Sequence, residues 1–212
     1  MFKGITVKTE LIVVLSLLVT LLIGIGSLGI YGISKSNIGF KSVYEDRTVP
    51  AVDLANINDI WEVVRKNTSA AVDSKDAVAA KIKAQETTET IKRAEGIWAR
   101  YIATKLTPQE EQLAKTKLEF HAAYVDSVNR VLQLAMAGDF ERASIEIKGT
   151  SEPIFYKLHE TIYKLITLQG DVAAQEYATT QSNFDTIFLI IVTTMIAGVV
   201  IAIVLGYLLL RG

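Results

Sequence analysis

Two long runs without a charged residue constrain what this chain can fold into. No Asp, Glu, Lys, Arg or His occurs in the 24 residues from Leu11 to Ser34 or in the 25 residues from Thr186 to Leu210. A helix needs about 20 apolar residues to cross the roughly 30 Å hydrocarbon core of a bilayer. The sequence therefore predicts transmembrane helices at 11–34 and 186–210, and it argues against a soluble enzyme.

A cleaved signal peptide is the alternative interpretation of the first run. The apolar region of such a peptide is about 7–15 residues long and ends at a small-residue cleavage site. Here the run is longer, and the sequence Tyr31–Lys35 offers no such site. We therefore interpret the run as a retained membrane span that follows a cytoplasmic N-terminus at 1–10.

Two spans place both chain ends on the same side of the membrane. Loops on the cytoplasmic side carry an excess of Lys and Arg, and Lys3, Lys8 and Arg211 flank the two spans. Three basic residues within 35–47 weaken this bias without reversing it. The sequence predicts cytoplasmic chain ends and an extracytoplasmic domain at 35–185.

The segment between the spans has the periodicity of helices throughout. Apolar or small residues recur every three or four positions in four stretches, which places them on one face of each helix. The four stripes run over Ile57–Val72, Ile82–Ile102, Leu113–Leu134 and Phe155–Val172. We predict an all-α fold: an antiparallel up-down-up-down four-helix bundle that is continuous with two transmembrane helices.

Capping and turn residues set the predicted helix boundaries. The polar run Asp73–Asp76 marks the turn between the first two helices, and Thr107–Glu110 is a capping box with proline at the first helical position. Gly138 ends the third helix. A short helix follows at 140–148, capped by the preceding aspartate, and Gly149 is predicted to end it.

Proline and glycine positions indicate where the long helices continue. Pro50 predicts a bend or a break in the first helix, since proline removes a backbone hydrogen bond. The stretch 35–46 contains only Gly39 as a helix breaker, so the first helix is expected to leave the membrane without a linker. The fourth helix, with Pro153 in its first turn, is expected to run through Asp185 into the second span.

Composition and motifs argue against several classes of function. The chain has 22 Lys and Arg against 23 Asp and Glu, a net charge of −1, whereas nucleic-acid binders carry a basic patch. It has no cysteine, which excludes disulfides and thiolate catalysis. Phosphate-binding and nucleophile-elbow motifs are absent. We predict no enzymatic activity, no catalytic residue, no cofactor and no nucleic-acid partner.

The histidines do not form a metal-binding motif. His121 and His159 each have a single carboxylate neighbour in sequence, Glu119 and Glu160, and neither has the second histidine of a zinc-binding helix. We predict both histidines as surface or boundary residues and no metal site. The two glutamates Glu110 and Glu111 are predicted to belong to a solvated helix face.

Five aromatic residues lie at helical spacing and invite interpretation as a ligand cage. Aromatic residues at this spacing are typical of a helical core. We therefore predict all five as core residues: Trp61, Trp98, Tyr101, Tyr156 and Tyr163.

Several segments together resemble a known family, the four-helix-bundle ligand-binding domain of bacterial methyl-accepting chemotaxis proteins with both flanking transmembrane helices. The resemblance covers essentially the whole chain. Besides the spans, it rests on EDRTVPAVDLANINDI, IWARYIATKLTPQEEQLA and AMAGDFERASIEIKGTSEPIF. Its most specific part is Ala137–Ala143, followed ten residues later by a proline. The resemblance implies a two-pass protein of the bacterial inner membrane with 35–185 in the periplasm.

The resemblance also implies a ligand site. Family members are homodimers that bind small ligands between protomers, through the first helix and the start of the fourth. Arg65 falls where aspartate-binding members carry the first of three arginines, but Ser69 and Asp73 fall at the later positions. This departure argues against a dicarboxylate ligand, although one guanidinium still holds a carboxylate and Asp73 suits an amine. The implied site is Arg65, Ser69, Asp73, Thr150 and Ser151; the alternative is that these are surface and capping residues.

The function implied by the resemblance is that of a transmembrane chemoreceptor sensor module in chemotaxis and signal transduction. A small ligand, such as an amino acid or an organic acid, shifts the fourth helix and signals through the second span. Because the chain stops just after Arg211, at 211–212, we expect a cytoplasmic output domain in a longer protein. The same module occurs on histidine kinases and diguanylate cyclases. Another class of function is a membrane-tethered protein-interaction bundle that binds a periplasmic binding protein or a second copy; membrane lipid is a partner in every case.

Overall fold

The computed structural model describes residues 7–211, which form helices and contain no strand. The predicted N-terminal segment therefore lies largely outside the described residues, as does Gly212. The helices are α1 Val7–Ser42, α2 Val49–Asp73, α3 Ala77–Ile102, α4 Pro108–Met136, α5 Phe140–Glu146 and α6 Glu152–Arg211, with π-helical segments at Val43–Thr48 and Ile147–Ser151. The prediction of an all-α four-helix bundle with two long apolar helices is confirmed.

The described chain divides into two compact units. The apolar-helix unit consists of the described residues up to Ser42 and from Gln175 onward, and the bundle unit consists of Val43–Ala174. Helices α2, α3 and α4 and the first part of α6 are the four long helices of the bundle unit. These are the four helices that the hydrophobic stripes predict.

Two helices are long and apolar enough to cross a membrane. They lie within Leu11–Asp73 and Phe140–Leu208, and in each the most apolar window is not buried inside the fold. Leu22, Ile30 and Ile203 are 69%, 73% and 66% exposed. Apolar exposure on this scale is typical of a surface that faces lipid or another protein. The chain is therefore consistent with a membrane protein, and the limits of the two spans stay predictions.

Two glycines of α1 allow it to approach α6 closely within the apolar-helix unit. A Cβ atom on Gly32 would lie 2.7 Å from Cγ2 of Ile187, and a Cβ atom on Gly39 would overlap the side chain of Thr180. Small residues allow two helix backbones to come this close. Gly32 and Gly39 are seven residues apart, so they lie on the same face of α1.

Replacing Gly39 with alanine is expected to weaken the contact between α1 and α6, because the new methyl group occupies the space of Thr180. Overpacking of this kind costs about 1–3 kcal/mol. The contact can be followed by disulfide formation, since the chain has no cysteine of its own. Cysteines at Leu21 and Gly198 can report on it, because a Cβ atom on the glycine would lie 3.7 Å from Cδ1 of the leucine and the two positions are therefore neighbours. We expect oxidation to become about tenfold slower in Gly39→Ala.

Gly29→Ala is the matched control, since a Cβ atom there would meet nothing within 4 Å. Thr180→Gly, combined with Gly39→Ala, should restore the rate of oxidation. Equal rates for the original chain, Gly39→Ala and Gly29→Ala would show that the helices do not approach each other at Gly39.

The core of the bundle unit is built largely from the predicted stripes, but Ile82 and Ile102, the two ends of the second stripe, are 53% and 47% exposed. Its residues with no measurable exposure include Leu54, Ile57, Trp61 and Val64 of α2, Tyr101 of α3, Val128 and Val131 of α4, and Leu158, Ile162 and Leu165 of α6. Burial of a large apolar side chain contributes about 1.5–3 kcal/mol. Helix formation in this unit therefore depends chiefly on packing between apolar faces.

Side-chain caps begin two helices of the bundle, and the one at α4 was predicted from the sequence. The Asp76 carboxylate accepts a hydrogen bond from the backbone N–H of Val78 at 2.9 Å and begins α3. Thr107 and Glu110 form the predicted capping box at the start of α4. Gly138 follows α4 with a φ of +83°, a conformation that glycine adopts readily.

The prediction that Glu110 belongs to a solvated face is wrong. Its side chain is 0% exposed and pairs with Arg47, whose Nη1 lies 3.2 Å from its Oε2. The capping box turns this carboxylate back toward the start of α4, where Arg47 neutralises its charge. Glu111, the next residue, is exposed as predicted.

The prediction that Gly149 ends the short helix is also wrong. Helix α5 ends at Glu146, and the backbone continues through the π-helical segment Ile147–Ser151 into α6. A glycine ends a helix when it takes the left-handed conformation. Among the described glycines only Gly138 has a positive φ, so Gly149 stays in helical backbone.

Next to Pro50 the first long helix has a π-helical turn and no break, and the predicted bend stays a prediction. The turn Val43–Thr48 is π-helical, and α2 begins at Val49 with Pro50 in its first turn. Proline cannot donate a hydrogen bond to the preceding turn, and its ring crowds the carbonyl four residues back. The turn widens in response, and it carries the buried side chain of Arg47.

Candidate functional site

One cavity in the bundle unit brings together three of the predicted site residues: Arg65, Ser69 and Ser151. The remaining lining residues are Thr68, Tyr124, Ile147, Glu152 and Phe155. The cavity has a volume of about 10 Å³, which is room for about one water molecule. In a single chain, any larger molecule therefore extends beyond the cavity.

The other two predicted site residues do not line this cavity. Asp73 is exposed at the end of α2, and Thr150 is half-buried in the π-helical segment before α6. The structure thus places three of the five residues together and leaves two apart. The ligand-binding role of all five stays a prediction.

Glu62 accepts hydrogen bonds from two of the three guanidinium nitrogens of Arg65. Nε and Nη2 of Arg65 donate to Oε2 of Glu62 at 3.1 and 2.9 Å. This hydrogen bond raises the pKa of Arg65 above its ordinary value. The guanidinium carbon also lies 5.2 Å from the centre of the Phe155 ring. Only Nη1 and one N–H of Nη2 remain for a ligand carboxylate.

Two hydroxyl groups of residues that line the cavity form no hydrogen bond with the described part of the chain. They belong to Tyr124, which is 1% exposed, and Ser151, which is 4% exposed. Burial raises the pKa of Tyr124; the carboxylates of Glu62 and Glu152 act in the same direction, and Arg65 opposes them. The Tyr124 hydroxyl therefore stays protonated and can donate a hydrogen bond. Both residues line the cavity, so their hydroxyls are available to a polar guest.

The three charged groups that act on the Tyr124 hydroxyl at the cavity sum to a net negative charge. Arg65 contributes one positive charge, and Glu62 and Glu152 contribute two negative charges. The half-buried Glu152 forms no hydrogen bond or ion pair within the described residues. Negative potential in a cleft attracts positively charged groups. The site is therefore electrostatically better suited to an amine than to a dicarboxylate.

Aromatic contacts support the inner wall of the cavity. The ring centres of Trp61 and Tyr124 lie 5.8 Å apart at 76°, and those of Tyr124 and Phe155 lie 5.6 Å apart. The first contact is edge-to-face and the second is tilted, and aromatic pairs of this kind are favourable beyond the area they bury. They fix the position of the Tyr124 hydroxyl.

The core prediction holds for three of the five singled-out aromatic residues. Trp61, Trp98 and Tyr101 are buried. For Tyr156 and Tyr163 it is wrong, because these side chains are 59% and 62% exposed. Each follows a buried residue of α6 by one position, and one position turns a side chain by about 100° around the helix.

Three residues of the site were missed from the sequence: Glu62, Tyr124 and Glu152. Glu62 lies three residues before Arg65, a spacing that brings opposite charges together on a helix and was therefore a usable signal. Tyr124 was assigned to an apolar stripe, which hid its hydroxyl. Glu152 directly follows the predicted Ser151, and its sequence position gives no signal of its own.

The two histidines are half-buried, as predicted for boundary residues. The ring of His121 lies 5.1 Å from that of Trp61, and its Nε2 lies 3.9 Å from Oε1 of Glu95. Burial lowers the pKa of His121 to about 4, with a further contribution from Lys117. Within the described residues no three His, Asp or Glu side chains are grouped so that they could hold a metal ion.

Comparison with known proteins identifies a family. The four helix bundle sensory module for signal transduction matches residues 4–184, which is most of the chain. The resemblance predicted from the sequence is confirmed at the level of this module. No curated protein matches the chain.

Proposed function

We infer the function of this chain from the family to which it belongs, the four-helix-bundle sensory modules for signal transduction. We propose that the bundle unit is the sensor of a transmembrane chemoreceptor and detects a small extracytoplasmic molecule at the cavity between α2 and the start of α6. The observation that carries this proposal is that Tyr124 and Ser151 line the cavity with hydroxyls that have no hydrogen-bond partner in the described chain.

The ligand class that suits these groups is a small molecule with an amine, such as an amino acid. Glu152 has a carboxylate available for an ammonium group. The hydroxyls of Tyr124 and Ser151, with the remaining donors of Arg65, suit a carboxylate or hydroxyl of the same ligand. A dicarboxylate suits the site poorly, because Glu62 already occupies two guanidinium nitrogens.

A second copy of the chain completes the site in this proposal, since one chain offers room for only about one water molecule. The outer face of α2 presents exposed residues at the alternating spacing of three and four that is typical of helix pairing. They are Val49, Val52, Asn56, Asp59, Val63, Lys66, Ala70 and Asp73. We define these residues as the α2 stripe. At about 100° per residue, Glu62 and Ser69 lie between the stripe and Arg65 on the circumference of α2.

Helix α6 is the route of the signal in this proposal. It extends from Glu152, at the cavity, to Arg211 as one helix. A ligand that binds two positions of α6 unequally shifts the population between them, and displacements of about 1–2 Å are typical of such helix shifts. The output is chemotaxis signalling, or a kinase or cyclase on which the same module is mounted, at the inner membrane of a bacterium.

A thermal-shift screen of the full chain in lipid nanodiscs tests this function. The compounds are amino acids, amines, organic acids and aromatic acids. A ligand specific for the folded state stabilises it by about 2.7 kcal/mol at 100 times its Kd. We expect hits among compounds with an amine. Glu152→Gln and Tyr124→Phe should each weaken binding about tenfold, as expected for losing one buried polar contact.

Glu119→Gln, at an exposed position of α4, is the matched control and should bind as the original chain does. A hit that Glu152→Gln and Tyr124→Phe leave unchanged would place the ligand elsewhere. No hit in any class, together with stable capture of a periplasmic binding protein, would instead favour a membrane-tethered protein-interaction bundle.

A further inference from the structure

Four elements of the bundle unit converge on one buried carboxylate, that of Glu110. Its Oε2 accepts hydrogen bonds from the backbone N–H of Thr107 at 2.6 Å and from Nη1 of Arg47 at 3.2 Å. Its Oε1 accepts from the Tyr101 hydroxyl at 3.5 Å and from the side-chain amide of Gln169. Glu110 is 0% exposed and Arg47 is 4% exposed, so the negative charge is neutralised inside the bundle.

Gln169 is the last of a row of buried residues along one face of α6, which we call the seam. The seam repeats with alternating spacings of four and three, as in a helix that packs along one edge. Its members are Ser151, Phe155, Leu158, Ile162, Leu165 and Gln169, each at most 4% exposed. The seam is thus polar only at its two ends, at the cavity and at Glu110.

The two kinds of contact along this seam restrain α6 differently. Apolar contacts are non-directional, so they tolerate small displacements along the helix axis. A hydrogen bond between an amide and a carboxylate has a required direction and length. A single polar residue at a core position of paired helices is known to fix their register at a cost in stability.

The Gln169 amide stabilises the buried carboxylate by donating to it, but the glutamine also carries a cost. A leucine at 169 would continue the apolar seam. The amide oxygen Oε1 of Gln169 is buried and has no hydrogen-bond partner among the described residues, which is unfavourable. Because a carboxylate only accepts hydrogen bonds, the amide nitrogen must face Glu110. The hydrogen bond between Gln169 and Glu110 therefore has the geometry of a restraint on the position of α6.

We propose that the hydrogen bond from Gln169 to Glu110 is the register pin of α6: it sets the resting axial position of this helix against α4 and, through Glu110, against Arg47. The pin lies 18 residues beyond Ser151, about 27 Å along the helix. A displacement of the start of α6 therefore acts on this bond. The coupling between ligand binding and this hydrogen bond rests on the proposed function, whereas the role of the bond in fixing the position of α6 does not.

Spin-label distances test the pin without any ligand. Labels are attached to cysteines that replace Lys115 of α4 and Asp171 of α6, both exposed, in the otherwise cysteine-free full chain. The labelled chain is diluted with unlabelled chain in nanodiscs, so that only distances within one copy are measured. We expect one narrow distance distribution for Gln169, and a shift of about 1–2 Å or a broadened distribution for Gln169→Leu.

Gln169→Glu should disturb the distances more, because two adjacent buried carboxylates repel each other. Combining it with Glu110→Gln restores one amide and one carboxylate and should recover the narrow distribution. Gln175→Glu, the same change at an exposed position of α6, is the matched control and should change nothing.

Unchanged distances in both Gln169→Leu and Gln169→Glu would overturn the pin, since the apolar seam alone would then fix the register. If Gln169→Glu does not fold, a folded double variant with the narrow distribution supports the pin, and an unfolded or broadened one counts against it. A failed ligand screen would leave these outcomes unaffected, so the pin and the proposed function can fail separately.

Discussion

Replacing Glu110 with alanine is expected to lower the free energy of unfolding of the bundle unit by about 3–5 kcal/mol, the usual loss when one partner of a buried ion pair is removed. The variant takes away the carboxylate that neutralises Arg47 and half of the capping box with Thr107. Both tryptophans of the chain, Trp61 and Trp98, lie in the bundle unit. Tryptophan fluorescence during denaturation of the full chain in micelles therefore reports on this unit.

Glu111→Ala is the control for this experiment, because Glu111 is the exposed neighbour in the same turn. It should change the free energy of unfolding by no more than about 0.5 kcal/mol. Similar losses in the two variants would contradict the buried position of Glu110 and with it the convergence of four elements on its carboxylate.

Acid is expected to destabilise the bundle unit through His121. Burial lowers the pKa of this histidine from 6.5 to about 4. Between these values the unfolded chain binds a proton that the folded chain does not bind. The free energy of unfolding should therefore fall by up to about 3 kcal/mol as the pH falls from 6.5 to 4.

The groups around His121 explain why the folded chain resists protonation there. Lys117, one turn earlier, is 2% exposed and lies with its Nζ 4.0 Å from the centre of the Trp98 ring. Burial lowers the pKa of this lysine to about 8, so it remains mostly charged in acid and repels a second charge. Glu95 is 53% exposed, and attraction to such a solvated carboxylate is weak. The ring of Trp61 offers no compensating charge.

Denaturation of the original chain and of His121→Phe between pH 7 and pH 4 measures this contribution. The variant should lose less stability over this range, since phenylalanine takes up no proton. Lys117→Met should also reduce the loss, because it removes the nearby positive charge. The same pH dependence in the original chain and in His121→Phe would contradict the assignment.

The helices and their caps were predictable because they depend on residues close together in sequence. The capping box of Thr107 and Glu110 spans one turn, and Asp76 caps the helix that starts at the next residue. The widened turn before α2 was predictable only in position, from Pro50. The continuation of the backbone past Gly149 was not predictable, because it depends on how the segment after α5 packs.

The candidate site was only partly predictable, because it depends on which helices become neighbours. Ser151 meets Arg65 only after α6 packs beside α2, and no spacing along one helix shows this. The buried position of Glu110 depends on Arg47, 63 residues away in the chain. Tyr156 was predicted as core although it lies one residue after Phe155 of the correctly placed fourth stripe, and that single position makes it an exposed residue.

Hydrogen-exchange mass spectrometry can locate the proposed binding of a small molecule in the cavity between α2 and the start of α6. The full chain is measured in nanodiscs with and without the strongest thermal-shift ligand. We expect slower exchange in peptides that cover residues 64–70 and 147–156, with no such change in residues 77–90. Unchanged exchange in the first two segments, while the ligand still stabilises the chain, would contradict binding in this cavity.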